Sequence, residues 1–137
     1  MRVDTLTSRC EGGAHVTRLL RYLALSEGQL DTGVLWGEEH TDFNLLTLLP
    51  GGVFYKHGEQ TGDRPTDFSG LKLRTRPTPE HPDGQLVSGV PPKGCMVAQV
   101  GQQLEVLSGG RFLATPHGIH APGELGWERT SFAHFVH

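Results

Sequence analysis

Short apolar or alternating runs recur along most of the chain, and turn-forming residues separate them. Residues 71–75 (LKLRT) alternate in polarity, whereas residues 44–49 (NLLTLL) and 95–100 (CMVAQV) are mainly apolar. The 19 glycines and 9 prolines suit frequent tight turns. About eight short strands of this kind predict an all-β domain with little helix, in the form of a sandwich, jelly roll or barrel.

The same criteria predict the rest of the organisation. Residues 1–14 lack periodicity and form a lead-in to one domain, residues 15–137. Residues 53–69, which include Tyr55, Lys56 and Arg64, are polar and turn-rich, and we expect a loop that acts as a substrate-selecting lid. Further β-like runs and a second loop, at 76–84, complete the pattern. The runs are residues 15–25 (alternatively a helical turn), 33–36, 85–90, 104–107, 111–114 and 130–136.

Composition narrows the class of protein. The net charge is −3 and neither sign forms blocks, so neither nucleic acid nor a membrane surface is an expected partner. Cys10 and Cys95 match no metal or redox spacing and are predicted to be free thiols in a reducing compartment. No signal peptide or membrane-spanning run is evident, which predicts a cytoplasmic protein.

One constellation carries candidate chemistry. His40 and Asp42 are two positions apart and would project to the same side of a strand, and His117 follows 75 positions after Asp42 (117 − 42). Two histidines and one carboxylate are the protein ligands of the facial triad that holds non-haem Fe(II). His-x-Asp alone is a weak motif, and a histidine beside Pro116 is also typical of a surface or capping position.

Arg129 and Ser131 share parity near the end of the chain. A guanidinium can bind a carboxylate bidentately, and a serine hydroxyl can add a hydrogen bond, so this pair would anchor the far carboxylate of a keto-diacid that chelates iron. The competing interpretation of Arg129 is a solvated charge at a strand end. The order of the motifs and their strand-like settings together favour the metal site.

These residues resemble a known family. From residue 15 onward the chain is similar to the Fe(II)- and 2-oxoglutarate-dependent oxygenases of the isopenicillin N synthase-like group. HTDFNLLTLL resembles their HTDxxxLTLL segment, CMVAQVGQQLEVLSGGRFLATPHGIH resembles their stretch around the distal histidine, and Arg129-Thr130-Ser131 matches RxS. RLLRYLAL resembles their RLNYYP strand, which places Tyr22 at a co-substrate-binding tyrosine, although Leu20 replaces the family's asparagine.

The resemblance implies a double-stranded β-helix, or jelly roll, that uses Fe(II), 2-oxoglutarate and O2. His40, Asp42 and His117 would bind iron, and Arg129, Ser131 and Tyr22 would bind 2-oxoglutarate. The implied reaction oxidises a small-molecule substrate, commonly by hydroxylation, and releases succinate and CO2.

Two alternatives remain open. One is a non-catalytic binding or subunit module that keeps the metal site; the other, disfavoured by Arg129 and Ser131, is an iron enzyme that uses O2 without 2-oxoglutarate. Family members carry an N-terminal helical segment over the barrel, whereas this sequence starts almost at the first barrel strand. Three explanations stay open: a natural minimal form, a gene fragment without its front half, or a chain that needs a partner subunit. A barrel without that cover exposes apolar surface, which predicts a homo-oligomer, a partner subunit or poor solubility.

Overall fold

The computed structural model describes residues 4–62, 65 and 68–137. Strands account for 37% of the described residues and helices for 13%, which confirms the predicted all-β class. Three short helices and ten strands follow one another along these residues. In chain order they are α1 Thr5–Cys10, β1 Val16–Tyr22, α2 Glu27–Asp31, β2 Gly37–His40, β3 Leu46–Leu49, β4 Gly52–Lys56, β5 Glu59–Gln60, β6 Gly70–Arg74, β7 Leu86–Ser88, β8 Val97–Val100, α3 Gln102–Leu107, β9 His117–His120 and β10 Trp127–Val136.

The larger sheet is organised around its longest strand, β10. β1 pairs with one edge of β10 in antiparallel orientation along its whole length, Val16 to Tyr22. β3 and β4 share the other edge, and β8 and β5 extend the sheet outward from them. Pro50 and Gly51 separate β3 from β4, and Gly51 has a φ of 112°, which favours glycine. This break lets consecutive strands both pair with β10.

The smaller sheet has the strand order β2-β9-β6-β7, and every pair in it is antiparallel. β9 therefore lies between a strand from the first third of the chain and one from the middle. His117, the first residue of β9, is paired with His40 on one side and Leu73 on the other. Two sheets of non-sequential antiparallel strands are what a jelly roll requires.

A cavity of about 660 Å³ lies between the inward faces of the two sheets. Alternate residues of β10 line it, as the two-residue period of a strand requires: Arg129, Ser131, Ala133 and Phe135. The predicted site residues all lie on the elements around this cavity, so the fold brings distant parts of the chain to one interior space.

The predicted lid over residues 53–69 is wrong for its first part. Tyr55 and Lys56 belong to β4, which forms a hairpin with β5 through His57 and Gly58. Both turn residues have positive φ, 50° and 85°, as a two-residue hairpin turn with strand-compatible twist demands. Arg64, the third residue of that prediction, lies outside the described residues.

Three predicted strands do not form. Residues 33–36 are irregular and directly precede β2, which begins at Gly37. Residues 104–107 belong to helix α3, and residues 111–114 are irregular. α3 begins where two backbone amides meet carbonyls of the loop formed by residues 41–45. Gln102 N donates to Asp42 O (2.8 Å) and Gln103 N donates to Asn44 O (3.2 Å). Helix amides that lack a partner in the first turn are thus satisfied from a distant segment.

The remaining elements also differ from expectation. The lead-in contains α1, and α2 begins with a capping box in which Ser26 Oγ accepts from Gln29 N and Gln29 Oε1 accepts from Ser26 N. The Ser-x-x-Gln spacing is visible in the sequence and could have predicted this helix.

Cys10 and Cys95 are both free thiols, as predicted. Among the described residues, the helices are all too short to cross a bilayer.

Candidate metal and co-substrate site

His40 and His117 are brought together by strand pairing. They are direct cross-strand partners in the β2–β9 ladder, and their ring centroids lie 4.3 Å apart. His117 is buried, whereas the His40 side chain is 54% exposed. One imidazole is therefore fixed by packing, and the other lies at the cavity opening.

Asp42 joins them from a loop. β2 ends at His40, so Asp42 lies beyond the strand, although its carboxylate does reach the same side as predicted from alternation. Asp42 Oδ1 is 3.5 Å from His40 Nε2 and 3.8 Å from His117 Nε2. One ligand atom from each of the three residues lies within 4.8 Å of the others, which makes them a candidate metal site.

Backbone carbonyls fix the tautomers of both histidines. His40 Nδ1 lies 2.7 Å from Glu38 O, and His117 Nδ1 lies 3.0 Å from Thr115 O. Because a carbonyl oxygen can only accept, each Nδ1 carries the proton and each Nε2 presents a lone pair. The lone pair of His117 Nε2 accepts from Gln99 Nε2 at 3.2 Å, and His40 Nε2 lies on the side of Asp42. Such contacts to the second ring nitrogen are the usual support of metal-binding histidines.

Burial also favours the neutral, metal-binding form of the His117 imidazole. It lowers the pKa of the His117 imidazole below its ordinary value, a shift that the Thr115 carbonyl and the Asp42 carboxylate partly oppose. Metal binding requires the neutral imidazole, and a lowered pKa keeps His117 in that form at neutral pH.

Two residues that the sequence interpretation missed hold the Asp42 carboxylate. Thr47 Oγ1 donates to Asp42 Oδ2 (2.6 Å), and Gln99 Nε2 donates to the same oxygen (3.0 Å). Both side chains are buried. With Oδ2 engaged twice, Oδ1 is left facing the histidines. The signal in the sequence is a single polar residue at an inward position of an otherwise apolar strand, Thr47 in β3 and Gln99 in β8.

Arg129 lies at the other end of the cavity and is only 5% exposed. Neither Nε nor Nη1 has a hydrogen-bond partner within the part of the chain that the structure describes. Burial lowers the pKa of the guanidinium, and Tyr22 opposes this shift. Since arginine stays protonated in proteins, a positive charge with unused donors points into the cavity. The prediction of a solvated strand-end charge is excluded.

Aromatic rings and a glycine shape the space around this charge. The guanidinium carbon lies 5.4 Å from the Tyr22 ring centroid and 5.9 Å from that of Phe54, each a cross-strand partner of Arg129. At Gly52, a Cβ atom would collide with the Arg129 guanidinium. Ser131, the predicted second member of the pair, is opposite Gly52 and lines the same cavity.

The donor set fits Fe(II) and a dicarboxylate. Two imidazoles and a carboxylate without thiolate are suited to non-haem iron, and three protein ligands leave coordination positions for a chelating co-substrate and O2. The unpartnered donors of buried Arg129 fit an anion, and the distal carboxylate of a bound 2-oxoglutarate has the required chemistry. All six predicted site residues thus face one cavity.

Comparisons with known proteins agree with this geometry. The model of the 2OG-Fe(II) oxygenase superfamily matches residues 15–137. A Dictyostelium discoideum protein named as an iron/ascorbate oxidoreductase is 31% identical over 103 residues, which cover 74% of this chain and 22% of that protein. The chain therefore spans less than a quarter of the length of this relative.

Solved structures share the fold. A Caulobacter crescentus protein assigned to the 2OG-Fe(II) oxygenase family is 28% identical with a TM-score of 0.66, over 98% of this chain and 37% of that one. An Arabidopsis thaliana dioxygenase for auxin oxidation, solved with 2-oxoglutarate, is 20% identical with a TM-score of 0.62, over 89% and 37% of the two chains. At that identity the second likeness concerns the fold alone.

Proposed function

The chain belongs to the 2OG-Fe(II) oxygenase superfamily, and on this premise we propose that it is an Fe(II)- and 2-oxoglutarate-dependent dioxygenase that hydroxylates a small molecule. Succinate and CO2 are the co-products. One observation carries the proposal: three metal-ligand atoms within 4.8 Å share a cavity with a buried arginine whose donors are unused. The family agrees with the resemblance seen in the sequence, whereas the isopenicillin N synthase-like subgroup stays a prediction.

Each residue has a distinct role in this proposal. His40, Asp42 and His117 hold Fe(II), and Arg129 and Ser131 bind the distal carboxylate of 2-oxoglutarate. Tyr22, with its ring beside the Arg129 guanidinium, closes that end of the cavity. Bound Fe(II) supplies O2 activation, which couples oxidative decarboxylation of 2-oxoglutarate to oxidation of the substrate.

The residues around the site orient the Asp42 carboxylate and exclude water from the cavity. Thr47 and Gln99 direct the free oxygen of Asp42 toward the metal. Leu20, Leu49 and Phe54 line the cavity with apolar surface, which limits water around the charged groups. The chain thus supplies positioning and electrostatics, and the metal and co-substrate supply the redox chemistry.

An anaerobic titration tests the proposal. Fe(II) and 2-oxoglutarate are added to the chain, and the visible charge-transfer absorption of the chelate is recorded. We expect the band in the parent and its loss in Asp42→Ala. Glu39→Gln is the matched control, because Glu39 is a neighbouring acid whose carboxylate pairs with Arg74 instead. A folded parent chain that gives no band would overturn the proposal.

A non-catalytic binding or subunit module is the second candidate. Its support is a set of apolar side chains exposed on the outward face of the larger sheet. On that face Leu19 is 85% exposed and its cross-strand partner Phe132 is 41% exposed. An oligomer or a partner subunit would cover them.

Size-exclusion chromatography with and without Fe(II), run beside a succinate assay, separates the two candidates. Metal binding and a dimer without succinate favour the module. Succinate formation favours the enzyme. The cytoplasmic location inferred from the sequence remains part of the proposal.

A further inference from the structure

A second arginine lines the cavity at a different level from Arg129. The inward residues of β1 are Arg18, Leu20 and Tyr22, and all three face the cavity. Tyr22 lies beside Arg129, whereas Arg18 is four residues away, about 13 Å along an extended strand. The two guanidinium-bearing regions are therefore separate.

Strand register places Arg18 on the metal side of the cavity. Its cross-strand partner is Ala133, and its guanidinium lies over the Phe135 ring, 5.3 Å from the centroid. Phe135 is in turn paired with Thr47, whose hydroxyl bonds to the Asp42 carboxylate. Phe135 thus lies between Arg18 and the residues around the candidate metal site.

Arg18 is also exposed and forms no ion pair with any residue in the described ranges. This differs from Arg21 on the outward face of the same strand, which pairs with Glu128 at 3.0 Å. Stacking on Phe135 orients the guanidinium while its donors remain open to a ligand.

The charges of the cavity lining leave Arg18 without a role in the proposed function. Among the described residues that line the cavity, Asp42 is the one carboxylate and is used by the metal in the proposed function, and Arg129 is used by 2-oxoglutarate. An arginine that faces the same space is therefore available to a different anion. The neighbouring surface is apolar, formed by Leu20, Leu49 and Phe135.

We propose that Arg18 determines substrate specificity, and that the substrate is a small organic anion. Its carboxylate or phosphate group binds the Arg18 guanidinium, and its apolar body lies against Leu20, Leu49 and Phe135. This inference rests on the proposed function, since it names the class of the molecule to be oxidised.

Calorimetric titration under anaerobic conditions, with saturating Fe(II) and 2-oxoglutarate, tests the proposal. The probes are phenylacetate and phenyl phosphate, with phenylacetamide as the uncharged counterpart of phenylacetate. Arg18→Met removes the charge and keeps much of the stem, and Arg18→Lys keeps the charge without the planar fork. Arg21→Met is the matched control on the opposite face. Circular dichroism checks that each variant is folded.

We expect at least one charged probe to bind the parent and phenylacetamide to bind more weakly. Arg18→Met should weaken binding of that anion about tenfold or more, Arg18→Lys should weaken it less, and Arg21→Met should leave it unchanged. Binding should also weaken with added salt, because Arg18 is exposed. Preference for phenyl phosphate over phenylacetate would identify a phosphate as the anionic group, and the reverse a carboxylate.

Equal affinity of an anionic probe for the parent and Arg18→Met overturns the proposal, and so does the absence of binding to the parent. Either result means that Arg18 only packs on Phe135. The chelate absorption of the same samples is read independently. A normal band with Arg18-independent binding refutes this inference alone, whereas a missing band in the parent refutes the proposed function.

Discussion

The two ends of the cavity differ in how completely the protein satisfies its own polar groups. At the metal end, both histidine Nδ1 atoms contact backbone carbonyls, and Asp42 Oδ2 accepts from Thr47 and Gln99. The one buried side-chain atom there without a partner among the described residues is uncharged, the amide oxygen Oε1 of Gln99. At the arginine end, Arg129 Nε and Nη1 are buried and find no acceptor in the described part of the chain.

The metal end is therefore preorganised for binding, whereas the arginine end depends on a ligand to complete its hydrogen bonds. The metal end is held in its binding geometry by the fold, so binding there needs little rearrangement. The arginine end carries the cost of a buried, incompletely bonded charge until an anion binds. Changes at the metal end should therefore abolish both metal and co-substrate binding, and changes at the arginine end should affect the co-substrate alone.

Removing the carboxylate ligand should have the largest effect. We expect Asp42→Ala to lower Fe(II) affinity at least about 100-fold, because two imidazoles alone hold the metal weakly. Competition with a metal-binding dye under anaerobic conditions measures this. Glu39→Gln, which removes a nearby acid, should bind like the parent, and a comparable loss there would show a general charge effect.

Replacing Arg129 should weaken 2-oxoglutarate binding without lowering the stability of the fold. We expect Arg129→Met to weaken 2-oxoglutarate binding about 100-fold and leave Fe(II) affinity unchanged, since the bidentate carboxylate contact is lost. The free energy of unfolding should stay level or rise by up to about 2 kcal/mol, because an uncompensated buried charge is removed. Urea denaturation measures it, and a clear loss of stability would contradict the comparison.

Gly52 tests the arginine end by steric means. A Cβ at position 52 would occupy the place of the Arg129 guanidinium, so Gly52→Ala should lower 2-oxoglutarate affinity about tenfold or more with metal affinity retained. The control is Gly62→Ala, since Gly62 also lines the cavity but has open space around it. Equal effects of both substitutions would argue against a specific cradle.

Thr47 tests the support of the metal end. Thr47→Val removes the hydroxyl that donates to Asp42 at nearly constant volume, and Fe(II) affinity should fall about tenfold. Thr47→Ser should largely restore it. If valine and serine behave alike, the hydrogen bond does not position the carboxylate.

Ser131 should give the smallest effect. Ser131→Ala removes one neutral hydroxyl, and we expect 2-oxoglutarate affinity to fall about three- to tenfold. Thr130→Ala, a hydroxyl change at the neighbouring residue that does not line the cavity, should leave it unchanged. Both are measured from the chelate absorption as 2-oxoglutarate is titrated.

The site was more predictable from the sequence than several of the strands. Strand parity and motif order placed His40, Asp42, Arg129 and Ser131 toward one interior, although Asp42 in fact lies on a loop. Local patterns fail at residues 104–107, where the apolar character predicts a strand and the structure has helix α3. Carbonyls from residues 42–44 cap a helix there, and no local rule contains that contact.

The sequence by itself determined the all-β class, the family and the identity of the candidate ligands, because alternation and motif order are properties of the chain. Only the tertiary structure decided which residues hydrogen-bond to the candidate ligands and which leave space for them. Thr47 and Gln99 reach Asp42 because β3 pairs with β8, and the gap for Arg129 exists because β4 places Gly52 beside β10. Cross-strand register sets both contacts, and register depends on residues that are distant in the chain.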